Sequence, residues 1–151
     1  DFAIGVKPES LSRMFYFQHI ANVPLAVIAP TMACRVHQQL QENIVAWSKI
    51  PIILPEHGAA RKRFEYWYRK KQQGKPSIYA TVSGHEALVS MVALGCGVGI
   101  APKVVVENSP VKDRVQYLKN IGDIEPFDLG ICCLNQSREK TLVKAFFEAI
   151  K

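Results

Sequence analysis

Residues 80–102 read ATVSGHEALVSMVALGCGVGIAP, and this stretch decides the fold class. A strand-like apolar pattern ends at Val82, and apolar residues then recur at helical spacing from Gly84 to Leu94. A second strand pattern follows from Gly97 to Ala101. The order strand, helix, strand predicts an α/β sheet rather than an all-β fold or a helical bundle.

Three residues specify the ends of the predicted helix. Ser83 is placed to cap its first turn, and Glu86, three residues later, is placed to complete a capping box. Gly95 is placed to end the helix. The spacing of Gly95, Gly97 and Gly99 resembles part of a dinucleotide-binding fingerprint, but it follows a helix and leads into a strand, which is the reverse of the required order. The sequence therefore predicts a tight turn there and no bound cofactor.

Strand and helix patterns alternate along the rest of the chain, as expected of an α/β protein with parallel strands. The other predicted strands are Phe2–Val6, Met14–Ile20, Val23–Ile28, Ile50–Leu54, Ile78–Val82, Val115–Leu118 and Phe127–Leu134. The other predicted helices are Gly58–Gln72 and Glu139–Ile150, with weaker patterns at Cys34–Gln41 and Lys103–Asn108.

The composition is that of an ordinary globular protein, with 151 residues of which 48% are hydrophobic and 21% charged. No apolar run approaches the roughly 20 residues that a membrane helix needs, so we expect no contact with a membrane. The chain opens with a strand pattern at Asp1–Val6, so we expect that residue 1 is not a natural N-terminus. Four cysteines without metal-binding spacing predict free thiols and a cytoplasmic protein.

The formal net charge of +6 is concentrated in one helix pattern, residues 61–75. Phe64, Trp67 and Tyr68 recur there at helical spacing, which predicts an amphipathic helix with an aromatic buried face and a basic solvated face. Direct DNA contact by this helix is the less favoured alternative. No helix-turn-helix, zinc-finger or RNA-binding motif accompanies it.

The sequence contains no recognisable catalytic or metal centre. Four histidines, at positions 19, 37, 57 and 85, stand apart without the spacing of a metal site. No nucleophile lies in the turn pattern of a hydrolase. We therefore predict a binding protein rather than an enzyme, with no catalytic residues and no metal ligands.

Two junctions between a strand and a helix are candidates for binding a small anion. Thr81, Val82 and Ser83 precede one helix, and Pro55–Gly58 precedes another. Ligands of open α/β sheets bind beyond the carboxyl ends of strands, where the first N–H groups of a helix are free. The alternative, that Ser83 serves only as a helix cap, remains open from spacing alone.

The same residues resemble a known family. Residues 80–102, with their strand end, helix and Gly-x-Gly-Ile turn followed by proline, are similar to the effector-domain signature of LysR-type transcriptional regulators. Leu25–Pro30 resembles the family's first crossover and Val143–Ile150 its C-terminal helix. The resemblance covers nearly the whole chain, and it is greatest to regulators of branched-chain amino-acid synthesis.

The resemblance implies a two-lobe, periplasmic-binding-protein-like fold of type II, with two Rossmann-like subdomains joined by two crossover strands. Lobe one would comprise residues 1–29 and 125–151, and lobe two residues 30–124. The winged helix-turn-helix domain and the first strand-helix-strand portion of lobe one would lie outside this chain.

The resemblance also implies a function. A small hydroxy-keto carboxylate, acetolactate or acetohydroxybutyrate, would bind between the lobes as an inducer and would control transcription of branched-chain biosynthesis genes. The expected partners are promoter DNA, through a domain absent here, RNA polymerase, and further copies of the chain in a homodimer or homotetramer. A periplasmic-type solute-binding protein is the alternative. The residues expected to bind the ligand are Thr81, Ser83, Gly84, His85, Thr31, His57 and Gly58.

Overall fold

The structure is a computed structural model that describes residues 1–151, and it divides into two compact units. Unit 1 comprises Asp1–Val23 and Pro126–Lys151, and unit 2 comprises Pro24–Glu125. None of the helices combines the length and the apolar character that spanning a membrane requires. The predicted α/β class is confirmed, because strands and helices alternate along most of the chain.

Unit 1 is a three-stranded antiparallel sheet covered on one face by a helix. Its strand order is β1-β8-β2, and side chains of the helix α5 pack against buried residues of β8. The small core contains Ile131, Cys133, Val143 and Phe147. Its elements are β1 (Phe2–Val6), β2 (Phe15–Val23), β8 (Phe127–Leu134), a 3-10 turn (Asn135–Ser137) and α5 (Thr141–Ala149).

Unit 2 contains an antiparallel sheet of order β6-β3-β7 and a parallel pair, β4-β5. A parallel bridge between Ile52 and Val98 connects the pair to the chain just before β6. Its strands are β3 (Leu25–Pro30), β4 (Pro51–Pro55), β5 (Ser77–Val82), β6 (Gly99–Pro102) and β7 (Val115–Tyr117). Its helices are α1 (Arg35–Leu40), α2 (Ala59–Arg69), α3 (His85–Ala93) and α4 (Lys103–Glu107), with 3-10 turns at Trp47–Lys49 and Lys112–Arg114.

The first division between the two units lies earlier in the chain than the proposed lobe boundary. All six residues of β3 are buried, and the strand pairs with β6 and β7 of unit 2. Residues 24–29 therefore belong to unit 2, and the first boundary lies between Val23 and Pro24. The second boundary, between Glu125 and Pro126, differs from the prediction by one residue.

The helix α3 forms the centre of the unit 2 core. Leu88, Val89, Val92 and Ala93 are buried, whereas Ala87 is exposed. These four residues are buried because α3 packs against β3, β4 and β6 together. Residues that share this core are Ile28, Ile53, Ala101, Val106 and Val115.

Gly95 ends α3 as the sequence predicts. Its φ is +81°, in the left-handed region that glycine adopts without strain. Its N–H donates to Val92 O at 2.9 Å, and the N–H of Cys96 donates to Met91 O at 3.2 Å. These two bonds form a Schellman motif, so the glycine-rich segment is a helix-to-strand turn and not a phosphate-binding loop.

The burial of α3 generates a first prediction. Leu88 is 1% exposed, and its replacement by alanine should lower the free energy of unfolding by about 2–5 kcal/mol through the cavity that it leaves. The matched control is Leu94→Ala, at the end of the same helix, where the side chain is 66% exposed. Leu94→Ala should change the free energy of unfolding by no more than about 0.5 kcal/mol. Urea denaturation measures both, and equal losses of stability would contradict the packing described.

Candidate functional site

The parallel pair β4-β5 brings two helix N-termini to one edge of unit 2. The strands end in register, with Pro55 opposite Val82, and the Glu56 N–H donates to Val82 O at 2.9 Å. The helix α2 begins four residues after the end of β4, and α3 begins three residues after the end of β5. This edge is therefore the kind of place at which open α/β sheets bind ligands.

Both helices begin at a glycine. Gly58 is the N-cap of α2, with φ +89°, and Gly84 is the N-cap of α3, with φ +88°. Neither helix has a side-chain hydrogen bond at its cap. A glycine cap has no side chain to offer as an acceptor to the first N–H groups of its helix, which carry the positive end of the helix dipole.

The predicted capping box of Ser83 and Glu86 is wrong. Ser83 precedes the N-cap by one residue, because the positive φ of Gly84 turns the chain before the helix starts. The Ser83 hydroxyl is exposed and does not cap the helix. The capping-only interpretation of Ser83 is therefore removed.

A depression of about 130 Å³ lies at the two junctions. This volume accommodates a small polar group such as a carboxylate with its nearest substituents. The lining residues are Pro55, Glu56, His57, Val82, Ser83, Gly84, His85 and Leu88.

The structure brings some of the expected site residues together and leaves others apart. His57, Ser83, Gly84 and His85 line the depression, and Gly58 adjoins it as the N-cap of α2. Each lies in one of the two strand-to-helix junctions, which is why a pattern-based prediction could find them. The depression is consistent with these five assignments, which remain predictions.

The other two expected residues lie outside the depression. Thr81 is an exposed residue within β5, paired with Leu54. The hydroxyl of Thr31 donates to Asp113 O at 3.4 Å. The next residue, Met32, reaches Gly95, at the opposite end of α3 from Gly84. Thr31 was predicted because it follows a strand. The sequence shows that a strand ends there, but it does not show at which edge of the sheet that end lies.

Sequence reasoning missed Glu56 and Leu88. Leu88 supplies an apolar floor, and Glu56 supplies a carboxylate whose Oε2 lies 3.8 Å from His57 Nδ1. The signal for Glu56 was its position, directly after β4 and beside His57. Its negative charge is mostly solvated, since its side chain is 59% exposed.

The polar groups are of complementary kinds. The helix N–H groups and the Ser83 hydroxyl can donate to a carboxylate, while the Glu56 carboxylate can accept from a ligand hydroxyl. Burial lowers the pKa of His85 below its usual value, so its imidazole is neutral at pH 7. The arrangement therefore suits a small acid that also carries a hydroxyl group.

The family of the chain follows from comparison with known proteins. The model of the LysR substrate binding domain matches residues 1–151. The chain belongs to the LysR family. The prediction made from residues 80–102 is confirmed, and with it the periplasmic-binding-protein-like fold.

Similar LysR-family sequences are named as transcriptional regulators. The chain is 42% identical over 152 residues to the HTH-type transcriptional regulator IlvY of Escherichia coli, covering 99% of this chain and 51% of that protein. It is 42% identical over 151 residues to the activator IlvY of Haemophilus influenzae, covering 100% of this chain and 52% of that protein. The chain thus spans about half the length of these relatives. The predicted regulatory rather than enzymatic class is confirmed by their names.

Solved structures of effector-binding and regulatory domains share the fold at low sequence identity. The effector binding domain of QuiR in complex with shikimate has a TM-score of 0.76 at 18% identity, covering 99% of this chain and 69% of that domain. The regulatory domain of Synechocystis CcmR in complex with 2-PG has a TM-score of 0.74 at 16% identity, covering 99% of this chain and 71% of the CcmR chain. The fold is therefore one that other LysR regulators use.

The partly buried imidazole of His85 generates a second prediction. Because the pKa of His85 is lower in the folded than in the unfolded chain, the unfolded chain takes up the proton first as the pH falls. The folded state should lose stability as the pH drops below about 6.5, and the loss should level off below the folded pKa. His85→Gln should remove this part of the pH dependence of the melting temperature.

The control is His57→Gln, at a histidine of the same depression with an 82% exposed side chain. Since burial is the cause of the His85 effect, the control should retain the slope of the wild-type protein. Identical slopes in His85→Gln and wild type would refute the assignment.

Proposed function

We propose that this chain is the effector-sensing domain of a LysR-type regulator, and that its effector is a small hydroxy-keto carboxylate such as acetolactate or acetohydroxybutyrate. The observation that carries the proposal is the pair of glycine-capped helix N-termini at one depression. The similarity to IlvY proteins supports a role in branched-chain amino-acid synthesis.

The recognition chemistry follows from the two helix ends. The effector carboxylate would lie against the first N–H groups of α3 and accept from the Ser83 hydroxyl, in a field that favours negative charge. The effector hydroxyl would donate to the Glu56 carboxylate. This hydrogen bond would keep the Glu56 carboxylate apart from the carboxylate of the bound effector. Leu88 would contact the aliphatic part of the effector.

The effector would act by shifting a conformational equilibrium rather than by entering a reaction. An effector shifts the equilibrium between two states only if it binds them with different affinity. The size of the shift is limited by that difference in affinity. In the complete cytoplasmic regulator, this shift would alter how an N-terminal DNA-binding domain holds the promoter and engages RNA polymerase. Branched-chain pathway acids should therefore raise the melting temperature of the complete regulator, because they bind only its folded form.

The role of Ser83 yields a third prediction. Ser83→Ala should weaken the binding of acetolactate by about 1.5–3 kcal/mol, the range for a hydrogen bond to a charged group. Because Ser83 makes no capping bond, unfolding should change by less than the roughly 1 kcal/mol of a lost cap. Titration calorimetry on the complete regulator measures the first quantity and urea denaturation the second.

Ser90→Ala is the matched control, since Ser90 is an exposed serine of α3, the helix that follows Ser83, and lies outside the depression. It should leave both quantities unchanged. Equal affinity in the Ser83→Ala and wild-type proteins would move the anion site elsewhere. Absence of binding by the wild-type regulator to all branched-chain pathway acids would reject the effector class itself.

Self-association is a further part of the proposed function. The strand β5 pairs only with β4 within this chain, so its other edge has no strand partner. Ile78 is 42% exposed and Tyr79 is 61% exposed on that strand. An open edge with apolar side chains is a surface that proteins cover with another chain. A second copy of the regulator is the proposed occupant.

This surface gives a fourth prediction. Ile78→Lys should shift the complete regulator toward smaller species in sedimentation, because it places a charge on the proposed interface. Ile44→Lys is the matched control, since Ile44 is 83% exposed and lies outside β5. An unchanged sedimentation profile for Ile78→Lys would exclude β5 from the interface.

A further inference from the structure

The segment that leads from unit 2 toward unit 1 is held by donors from α2. Trp67 Nε1 donates to Ile121 O at 2.9 Å, and Lys71 Nζ donates to the same carbonyl at 2.7 Å. Arg63 Nε donates to Glu125 O at 3.1 Å, and its Nη1 lies 3.7 Å from the Glu125 carboxylate. Arg63 and Trp67 are one turn apart on α2, and Lys71 lies in the turn that follows it.

The segment also borders a cavity of about 560 Å³, which residues 118–124 line. Asn120 and Gly122, on either side of Ile121, both have positive φ, at +57° and +88°. Asparagine and glycine adopt this region readily, so the two residues turn the chain around Ile121, whose carbonyl accepts from the two donors.

The ammonium group of Lys71 lies between two indole rings. Its Nζ is 4.8 Å from the ring centre of Trp67 and 5.3 Å from that of Trp47, and the two rings are in edge contact at 5.0 Å. Desolvation in this environment lowers the pKa of Lys71. Both tryptophans of the chain therefore surround the donor, and their fluorescence reports on its position.

The candidate effector site lies at the N-terminal end of α2. Two of the donors, Arg63 and Trp67, lie further along the helix, and Lys71 follows its C-terminal end. Its N-cap is Gly58, next to His57 in the depression, and Arg61 Nη1 donates to Glu56 O at 2.9 Å. A helix of 11 residues is a rigid element, so a change at its first turn displaces the side chains further along it.

We infer that Arg63, Trp67 and Lys71 form a latch through which effector binding at the start of α2 sets the conformation of residues 121–125. The role of the effector in this inference rests on the proposed function. The contacts of the latch are observed in the structure and are independent of that function. The three residues are positioning residues, since they hold the segment and do not touch the effector. Release or tightening of the segment is the change that the latch passes along the chain.

The first arm of the test needs no effector. In the complete regulator, Lys71→Met removes the charged donor, and the amides of residues 120–124 should exchange hydrogen about tenfold faster, the factor expected for one lost hydrogen bond. Lys71→Arg retains a donor and a cation over the rings, and it should restore slow exchange. The matched control is Lys70→Met, since Lys70 lies over Tyr66 and not over the tryptophans.

The second arm tests the coupling by perturbing the far end of α2. Gly58→Ala forces a side chain onto a residue with φ +89° and so disturbs the first turn. It should change hydrogen exchange at residues 120–124 in the wild-type background but not in the Lys71→Met background. Equal effects in the two backgrounds would overturn the inference, as would unchanged exchange in Lys71→Met alone.

The third arm uses acetolactate as the probe. Wild type, Lys70→Met and Lys71→Arg should change tryptophan emission on binding, whereas Lys71→Met should still bind in calorimetry, with an affinity altered by the coupling that it removes, and show no change in emission. A wild-type emission change in Lys71→Met would also overturn the latch. Failure of wild type to bind the probe in calorimetry counts against the proposed effector, and the second arm then decides the latch.

Discussion

The parallel pairing of β4 with β5 is the constraint on which the candidate site depends. Pro55 lies opposite Val82, and the hydrogen bond from Glu56 to Val82 extends the pairing past the last strand residue. Because side chains alternate along a strand, a slip of one residue would invert one strand and displace its junction. The register thus determines that both helices start at the same edge with their N–H groups close to each other.

Glycine at both helix starts keeps this edge available to a ligand. A serine or aspartate at Gly58 or Gly84 would direct its own oxygen to one of the first N–H groups of the helix. Glycine at an N-cap sacrifices only a few tenths of a kcal/mol relative to such residues, and it leaves the N–H groups for another acceptor. The positive φ of Gly84, +88°, also turns the chain so that Ser83 lies in the depression rather than at the cap.

The features that could be predicted from sequence are those that depend on local patterns. Apolar spacing located the strands and helices to within a few residues, and the turn at Gly95 follows from its place after an apolar helix. The capping box failed because the pattern around Ser83 does not reveal the φ of Gly84. The division between the two units could not be predicted, because β3 belongs to unit 2 through its pairing with β6 and β7, which are distant in sequence.

The candidate site shows the same limit. His57, Ser83 and His85 were found because each lies beside a strand end that is visible in the sequence. Thr31 also follows a strand, but β3 runs antiparallel to β6, and its end lies by Gly95 rather than by Gly84. Direction within a sheet is a non-local property. The donors to Ile121, which lie 50 or more residues away in sequence, were beyond prediction for the same reason.

A regulator responds to an effector only if its states differ in how well they bind it. An anion held by α3 alone would stabilise unit 2 and change nothing further along the chain. Under the proposal, the start of α2 at the same depression provides the needed difference, since the anion would also meet a helix whose other contacts hold residues 121–125. By reciprocity, whatever tightens or frees that segment would change effector affinity by the same factor. The glycine-capped start of α2 would then be as important for response as the start of α3 is for affinity.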